Sequence, residues 1–534
     1  MTTHSDTAAA SSPREDKART AGRGGVAVLG AKLFFLVAGF AQQPLLRRAV
    51  GLSDFGALAQ AMAVANVANN VIISSSTQGV SRAVAGAPGE EPRALRAALR
   101  VHVPLAVVMG GIAAAAAPLY ASFEHAPDVV APLLVMAGVT LLYGLYGPFI
   151  GCLNGSNRFG RQALLDVTFA TLRTVGLVGF GYWFVRRGLS GALGTSVGWV
   201  WASALIVPLA LWSTGIGKRL DPTKPRPAGV PTSGAYLGVL GPIAGAQLCT
   251  NLLMQVDIVL LGRFLSDAGA AAAGGLDADA QRALVKEGIA IYRECQTFAF
   301  LPYQLLFSIT LILFPMLARA RAEGDMAAVR EYVARGARLA AIFCGLLVGV
   351  VVAMPASMLS FAYPVADAMK GADVLRFMAL AQAAFAMLGI ATTVLTSIGR
   401  EGTAALLTLG AVVAVGGACA ALVPGATFGH EQLLRSAQAS GMALTAALVV
   451  GAVLVKRATG AFIPAATAIR CLLALAACVA VGLVAPRFGR LLTPIAAAAA
   501  GTAYLVVLLV TREIGKRDLG MLRALRGKRA SGAA

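Results

Sequence analysis

Apolar residues run along this chain in blocks of about 20, the length a helix needs to cross the hydrocarbon core of a bilayer. The pattern predicts spans at 24–46, 56–81, 101–121, 129–150, 162–184 and 191–214. A polar linker follows, Gly215 to Ser233, with Lys218, Arg219, Lys224, Arg226 and four prolines. A second group of spans falls at 234–262, 289–315, 339–361, 374–397, 403–424 and 436–455, and two more at 463–484 and 491–511. Residues 1–23 are polar and expected to be disordered, and 512–534 form a basic tail. The prediction is an all-α polytopic membrane protein of about fourteen helices: two six-helix lobes at 24–214 and 234–457, and two extra helices at 458–511.

Polar residues inside the spans are patterned too. Asn66, Asn69, Asn70, Ser74 and Thr77 share one helical face. Gln247, Asn251 and Gln255 recur every four residues, and Arg293, Gln296 and Gln304 form a third stripe. Such stripes either bond helix to helix or line a wet cavity. Ionisable groups in a membrane are expensive and mark functional sites by default. Lys32 and Arg173 lie deep in their spans and are expected to line a cavity. Asp257 is either a counter-charge to a cation or a carboxylate that carries a coupling ion. Asp166, Arg293 and Glu294 are near enough to an interface to reach water. Arg47 and Arg48 add positive charge where the first span ends. A cavity with more fixed positive than negative charge suits an anionic group such as a phosphate or pyrophosphate.

A repeat underlies the two groups of six. Arg158 opens R-F-G-R-Q-A-L-L and Arg400 opens R-E-G-T-A-A-L-L, each with a leucine five residues earlier (Leu153, Leu395). Both sit just before the fifth helix of their group. Val28-Leu29-Gly30 and Val239-Leu240-Gly241 echo each other in the first helices. A six-helix repeat has an even number of crossings, so the copies are parallel, an arrangement known in transporters, where the site lies at the repeat interface.

Composition agrees with this picture. Of 534 residues, 57% are apolar and 13% charged, about half the charge of a soluble domain. The net charge of +20 is not a nucleic-acid signature, because no basic face carries interleaved aromatics outside the spans. Instead, 29 of the 45 Lys+Arg fall on one side of the predicted helices, 11 on the other and five inside spans. The positive-inside rule then places both termini in the cytoplasm. The seven cysteines include no C-x-x-C and the four histidines have no ligand spacing, so neither a metal nor another cofactor is expected. No loop is long enough for a catalytic constellation, which argues against an enzyme.

Several segments resemble the multidrug/oligosaccharidyl-lipid/polysaccharide (MOP) exporter superfamily, and within it the polysaccharide transporters and O-antigen flippases, with lipid II flippases of the MviN/MurJ type as relatives. They are P-L-L-R-R-A-V-G-L-S-D-F-G (Pro44–Gly56), L-N-G-S-N-R-F (Leu153–Phe159), Asp257, Leu301-Pro302 and L-F-P-M-L-A-R (Leu313–Arg319). The resemblance implies a V-shaped pair of six-helix lobes around a central cavity in the bacterial inner membrane. It also implies alternating-access flipping of a polyprenyl-diphosphate-linked saccharide, with membrane lipids and polysaccharide-assembly proteins as partners. Candidate cavity residues are Lys32, Arg47, Arg48, Asn66, Asn70, Arg173, Gln247, Asn251, Gln255, Arg293 and Gln296, and Asp257 is the candidate for the coupling ion. In the lipid II flippases an acidic-basic pair precedes the Leu-Pro by about a turn. Here Arg293-Glu294 stands two turns before Pro302 in reversed order, which favours a polysaccharide carrier over lipid II. A multidrug antiporter of the same superfamily and a non-transporting scaffold are the other readings.

Overall fold

A computed structural model describes residues 13–215, 230, 232–272, 277–484, 489 and 492–515. Among these the regular structure is helical throughout. The first helices are α1 (Pro13–Val50), α2 (Leu52–Ala85), α3 (Glu91–Phe123), α4 (Val130–Gly155), α5 (Phe159–Arg186) and α6 (Gly191–Thr214). Then come α7 (Ser233–Leu253), α8 (Val256–Ala272), α9 (Ala278–Ala299), α10 (Leu301–Ala322), α11 (Met326–Ala353) and α12 (Pro355–Ala362). The last are α13 (Val365–Ser397), α14 (Glu401–Leu422), α15 (His430–Thr459), α16 (Ala465–Val484) and α17 (Thr493–Val510). Among the described residues, twelve candidate spans are long and apolar enough to cross a membrane; α1 and the α9–α10 pair occupy the remaining two predicted spans.

The differences from the sequence pattern have local causes. α1 begins at Pro13, within the tail expected to be disordered: its Ala, Arg and Lys are good helix formers and run straight into the apolar block. Residues 1–12 of that tail, most of the linker (216–229 and 231) and the end of the basic tail (516–534) lie outside the described residues. Three predicted spans are broken in two. Pro302 and Pro355 stand at the starts of α10 and α12, where a residue without an N–H cannot continue the preceding helix. Between α7 and α8 the Gln255 N–H donates to Leu252 O, three residues back, and the helix is interrupted there.

The chain forms two compact units: 1–51, 64–121 and 127–248, and 52–63, 122–126 and 249–534. Their boundary departs from the expected lobes. α7 packs in the first unit, where the Tyr236 hydroxyl lies 2.6 Å from His102 Nε2, and His102 Nδ1 lies 3.1 Å from Ser76 Oγ. The second unit takes in the first turns of α2 and the turn after α3. There Gln60 Nε2 donates to the fully buried Glu124 at 2.8 Å.

In the first unit, small residues let helices approach closely, as membrane helices without a hydrophobic drive between them require. α4 presents Gly144, Gly147, Gly151 and Gly155 to α2 and α3; a Cβ on Gly151 would stand 2.8 Å from the Thr77 carbonyl oxygen. Gly176 of α5 meets Gly198 of α6 backbone to backbone.

The repeat is visible in backbone geometry. Arg158 N–H donates to Leu153 O at 2.8 Å, and Arg400 N–H donates to Leu395 O at 2.9 Å. The preceding residue is left-handed in both turns, Asn157 (φ 56°) and Gly399 (φ 82°), a conformation that Gly and Asn tolerate best. The two motifs therefore encode one helix–turn–helix joint twice.

Candidate functional site

The first unit holds a cationic site where α1 and α5 pack together. Lys32 Nζ is 2.9 Å from Asp166 Oδ2; the Asp166 side chain is 10% exposed and that of Lys32 52%. The two therefore neutralise each other, and Lys32 is not the independent cation its position suggests. Arg173 is different. It lies near the middle of α5, about 20 Å from either end, and has no carboxylate partner among the described residues. Its Nε donates to Gln42 Oε1 at 3.3 Å, and Thr174 Oγ1 donates to the same oxygen at 3.4 Å. The guanidinium stands 5.4 Å from the Phe35 ring centroid and 5.6 Å from that of Trp199. Trp199 is fixed in turn by donating to Tyr143 Oη at 3.0 Å. Aromatic faces attract a cation without neutralising it, so half-buried Arg173 keeps a net positive charge and donors to spare. Gln42 Nε2 beside it is a buried donor without a partner, and buried donors left unpaired are costly.

The predicted stripe on α2 divides. Asn69 is fully buried and accepts from Thr140 Oγ1 of α4 at 2.7 Å, a helix-to-helix bond. Asn66 and Asn70 are half-buried. Arg47 is half-buried and Arg48 exposed at the end of α1. Of the three-residue stripe on the seventh span, Gln247 is half-buried and Asn251 buried on α7, while buried Gln255 lies at the helix break.

The second unit contains a buried carboxylate. Asp257, 6% exposed, accepts from Tyr292 Oη at 2.7 Å through Oδ2 and from the Ile258 N–H at 2.8 Å through Oδ1. Ser436 Oγ of α15 donates onward to Tyr292 Oη at 3.4 Å. Among the described residues no cation lies within ion-pair distance of Asp257, and Arg293, the residue after Tyr292, is the cation that acts on it electrostatically. Next to Tyr292 in α9, half-buried Arg293 donates to Gln296 Oε1 at 3.1 Å, while Gln296 and Glu294 are each 1% exposed. Sequence reading missed Tyr292 and Ser436, which reach Asp257 only through folding, and Phe35 and Trp199 beside Arg173. Among the described residues no cluster of three or more His, Cys, Asp or Glu could hold a metal ion.

Crossing helices, small-residue packing and buried ionisable groups define a multi-pass membrane protein with a transporter fold. The sequence matches the polysaccharide biosynthesis protein family over residues 21–321, more than half the chain, and the protein belongs to that family. Among solved structures it is similar to a lipid II flippase, MurJ, in an inward closed conformation, at 13% identity and a TM-score of 0.68, covering 92% of this chain and 99% of that one. It is also similar to MATE-family multidrug resistance transporters of the MOP superfamily. The inward-facing form gives 15% identity and a TM-score of 0.61, covering 82% of this chain and 99% of that one. The outward-facing form gives 14% and 0.56, covering 81% and 96%. The fold is therefore that of the MOP exporters. No curated protein matches the sequence.

Proposed function

We propose that this protein is a flippase that moves a polyprenyl-diphosphate-linked oligosaccharide from the inner to the outer leaflet of a bacterial cytoplasmic membrane, by alternating access, for surface polysaccharide synthesis. Both termini lie in the cytoplasm on this reading, and the protein is not an enzyme. The observation that carries it is Arg173. A central arginine costs about 2.5–3.5 kcal/mol to insert, and this one is held by two rings and an amide oxygen, with no carboxylate among the described residues to cancel it. A group that keeps its positive charge deep in a bilayer is suited to an anion that must cross, and a diphosphate is such an anion. The family match agrees with a saccharide cargo.

Asp257 serves as the coupling group in this scheme. Its carboxylate is buried among hydroxyls, so it can take up a proton or a monovalent cation, and Tyr292 and Ser436 offer oxygens to share it. The same buried carboxylate favours a second reading, antiport of cationic compounds, since a buried acid with no cation in direct contact among the described residues also suits a cationic cargo.

The deciding experiment deletes the gene and analyses undecaprenyl-linked intermediates by mass spectrometry. Accumulation of one lipid-linked oligosaccharide with loss of a surface polymer is the expected result. An unchanged lipid-linked pool with altered drug sensitivity transfers the protein to the antiport reading.

A further inference from the structure

A groove of about 730 Å³ lies in the second unit, between the start of α11, the end of α15 and the loop leading into α16. That volume is in the range of small-ligand sites, about 300–1,000 Å³. Its floor includes buried Phe462 and half-buried Ala452, and its rim carries Arg330 from α11 and Lys456 from α15. Both cations are exposed, and neither has an ion-pair partner among the described residues. The one acid in the lining, Glu331, is already paired with Arg335. Gly460 ends α15 at φ 78°, and its missing side chain leaves room for Arg330, whose Cδ and Nε come within 3.6 and 3.7 Å of where a Cβ would stand. Above the rim, Met442, Ala446, Val449 and Val453 form an exposed apolar stripe along α15. Eleven residues of helix rise about 16 Å, close to half of the ~30 Å hydrocarbon core.

We propose that this groove binds one anionic phospholipid. Its phosphodiester sits between Arg330 and Lys456, and one acyl chain lies along the α15 stripe through a single leaflet. Two uncompensated cations over an apolar groove complement an anion carrying a hydrocarbon tail. A zwitterionic headgroup would set its ammonium against them. The Lys/Arg distribution assigns this end of the helices to the cytoplasm, where the leaflet is rich in anionic lipid. The bound lipid fills the gap between α11 and α15 at the joint where the last two helices begin. The proposal does not depend on the cargo.

The test is native mass spectrometry of the purified full chain in nanodiscs of dioleoylphosphatidylglycerol or dioleoylphosphatidylethanolamine. Expected is one retained phosphatidylglycerol per chain, and no retained phosphatidylethanolamine. The double variant Arg330→Gln/Lys456→Gln binds phosphatidylglycerol about thirtyfold more weakly, the fold-change implied by about 1 kcal/mol per cation. Arg457→Gln, adjacent in sequence but outside the lining, retains the lipid. Val453→Trp, which fills the groove at an exposed position and keeps both cations, loses it. Unchanged retention in the double variant, equal retention of the zwitterionic lipid, or displacement by equimolar undecaprenyl phosphate would each overturn the proposal, the last by giving the groove to the carrier lipid instead.

Discussion

The Lys32 ammonium lies 2.9 Å from the Asp166 carboxylate and ties α1 to α5. The contact is asymmetric, since the lysine is half in the open and the aspartate nearly enclosed. Screening at the lysine keeps its value modest, about 1 kcal/mol. A double-mutant cycle of Lys32→Ala and Asp166→Ala, read by thermal unfolding in detergent, is expected to return a coupling of that size. A coupling of zero would mean the two groups do not meet in solution.

Arg173 is expected to be irreplaceable by another cation. Lysine preserves the charge but loses the planar fork that lies between Phe35 and Trp199 while donating to Gln42. Arg173→Lys is therefore predicted to lower export by about tenfold or more, a factor equal to about 1.4 kcal/mol, with normal amounts of protein in the membrane. Surface polymer per unit of protein is the measurement, and export at the wild-type level would remove the guanidinium from headgroup recognition.

Much of the architecture is legible in residues that act locally. The paired motifs at Arg158 and Arg400 predict a repeat because the turn they encode is short-range: a left-handed residue, then an N–H that reaches back to a leucine carbonyl. In the first copy the side chains do more, for Arg158 and Arg161 donate to the Thr214 and Ser213 carbonyls at the end of α6. That is a favourable place for a cation, opposite the negative end of the helix dipole. The interruption after α7 was not legible, because neither proline nor glycine marks the break at Met254-Gln255. Depth within a span picked out Lys32, Arg173 and Asp257, but depth says nothing of partners. Asp166 was placed near an interface, yet it neutralises Lys32. Tyr292 meets Asp257 across 35 residues of chain, a relation that no local pattern carries.

Asp257 and Tyr292 make the coupling proposal testable in two steps. Collapsing the ion gradient is expected to slow the wild type, and Asp257→Asn is expected to lose that dependence. Tyr292→Phe keeps the carboxylate but removes its 2.7 Å donor, and leaving a buried acceptor short of a donor costs about 1–3 kcal/mol. That variant should remain gradient-dependent, with a shifted response to pH or to sodium that identifies the ion. Full gradient dependence in Asp257→Asn would exclude Asp257 from coupling.

The last two helices are held by a group that composition concealed inside a basic tail. Glu513, 3% exposed, accepts from Arg338 Nε of α11 at 2.7 Å, from Arg470 Nη1 of α16 at 2.7 Å and from Thr467 Oγ1 at 2.6 Å. Beneath it, Tyr504 of α17 is fully buried with Cys478 of α16 and Ile342 of α11. Burial raises the Glu513 pKa, but the bonds from Thr467, Arg338 and Arg470 outweigh it and hold the carboxyl below its ordinary value of 4.5. Because the folded value is depressed, the stability this group contributes is fully present above the unfolded value and is lost as pH falls through the folded one. The wild type is therefore expected to keep a constant melting temperature from neutral pH down to about 4.5 as far as this group is concerned, and to lose stability below it. Glu513→Gln should melt lower at neutral pH, since two half-buried arginines then lack their carboxylate, and should show a smaller fall in acid. Thermal unfolding of both proteins between pH 3 and 7 makes the comparison, and parallel acid profiles would show that Glu513 does not anchor α17.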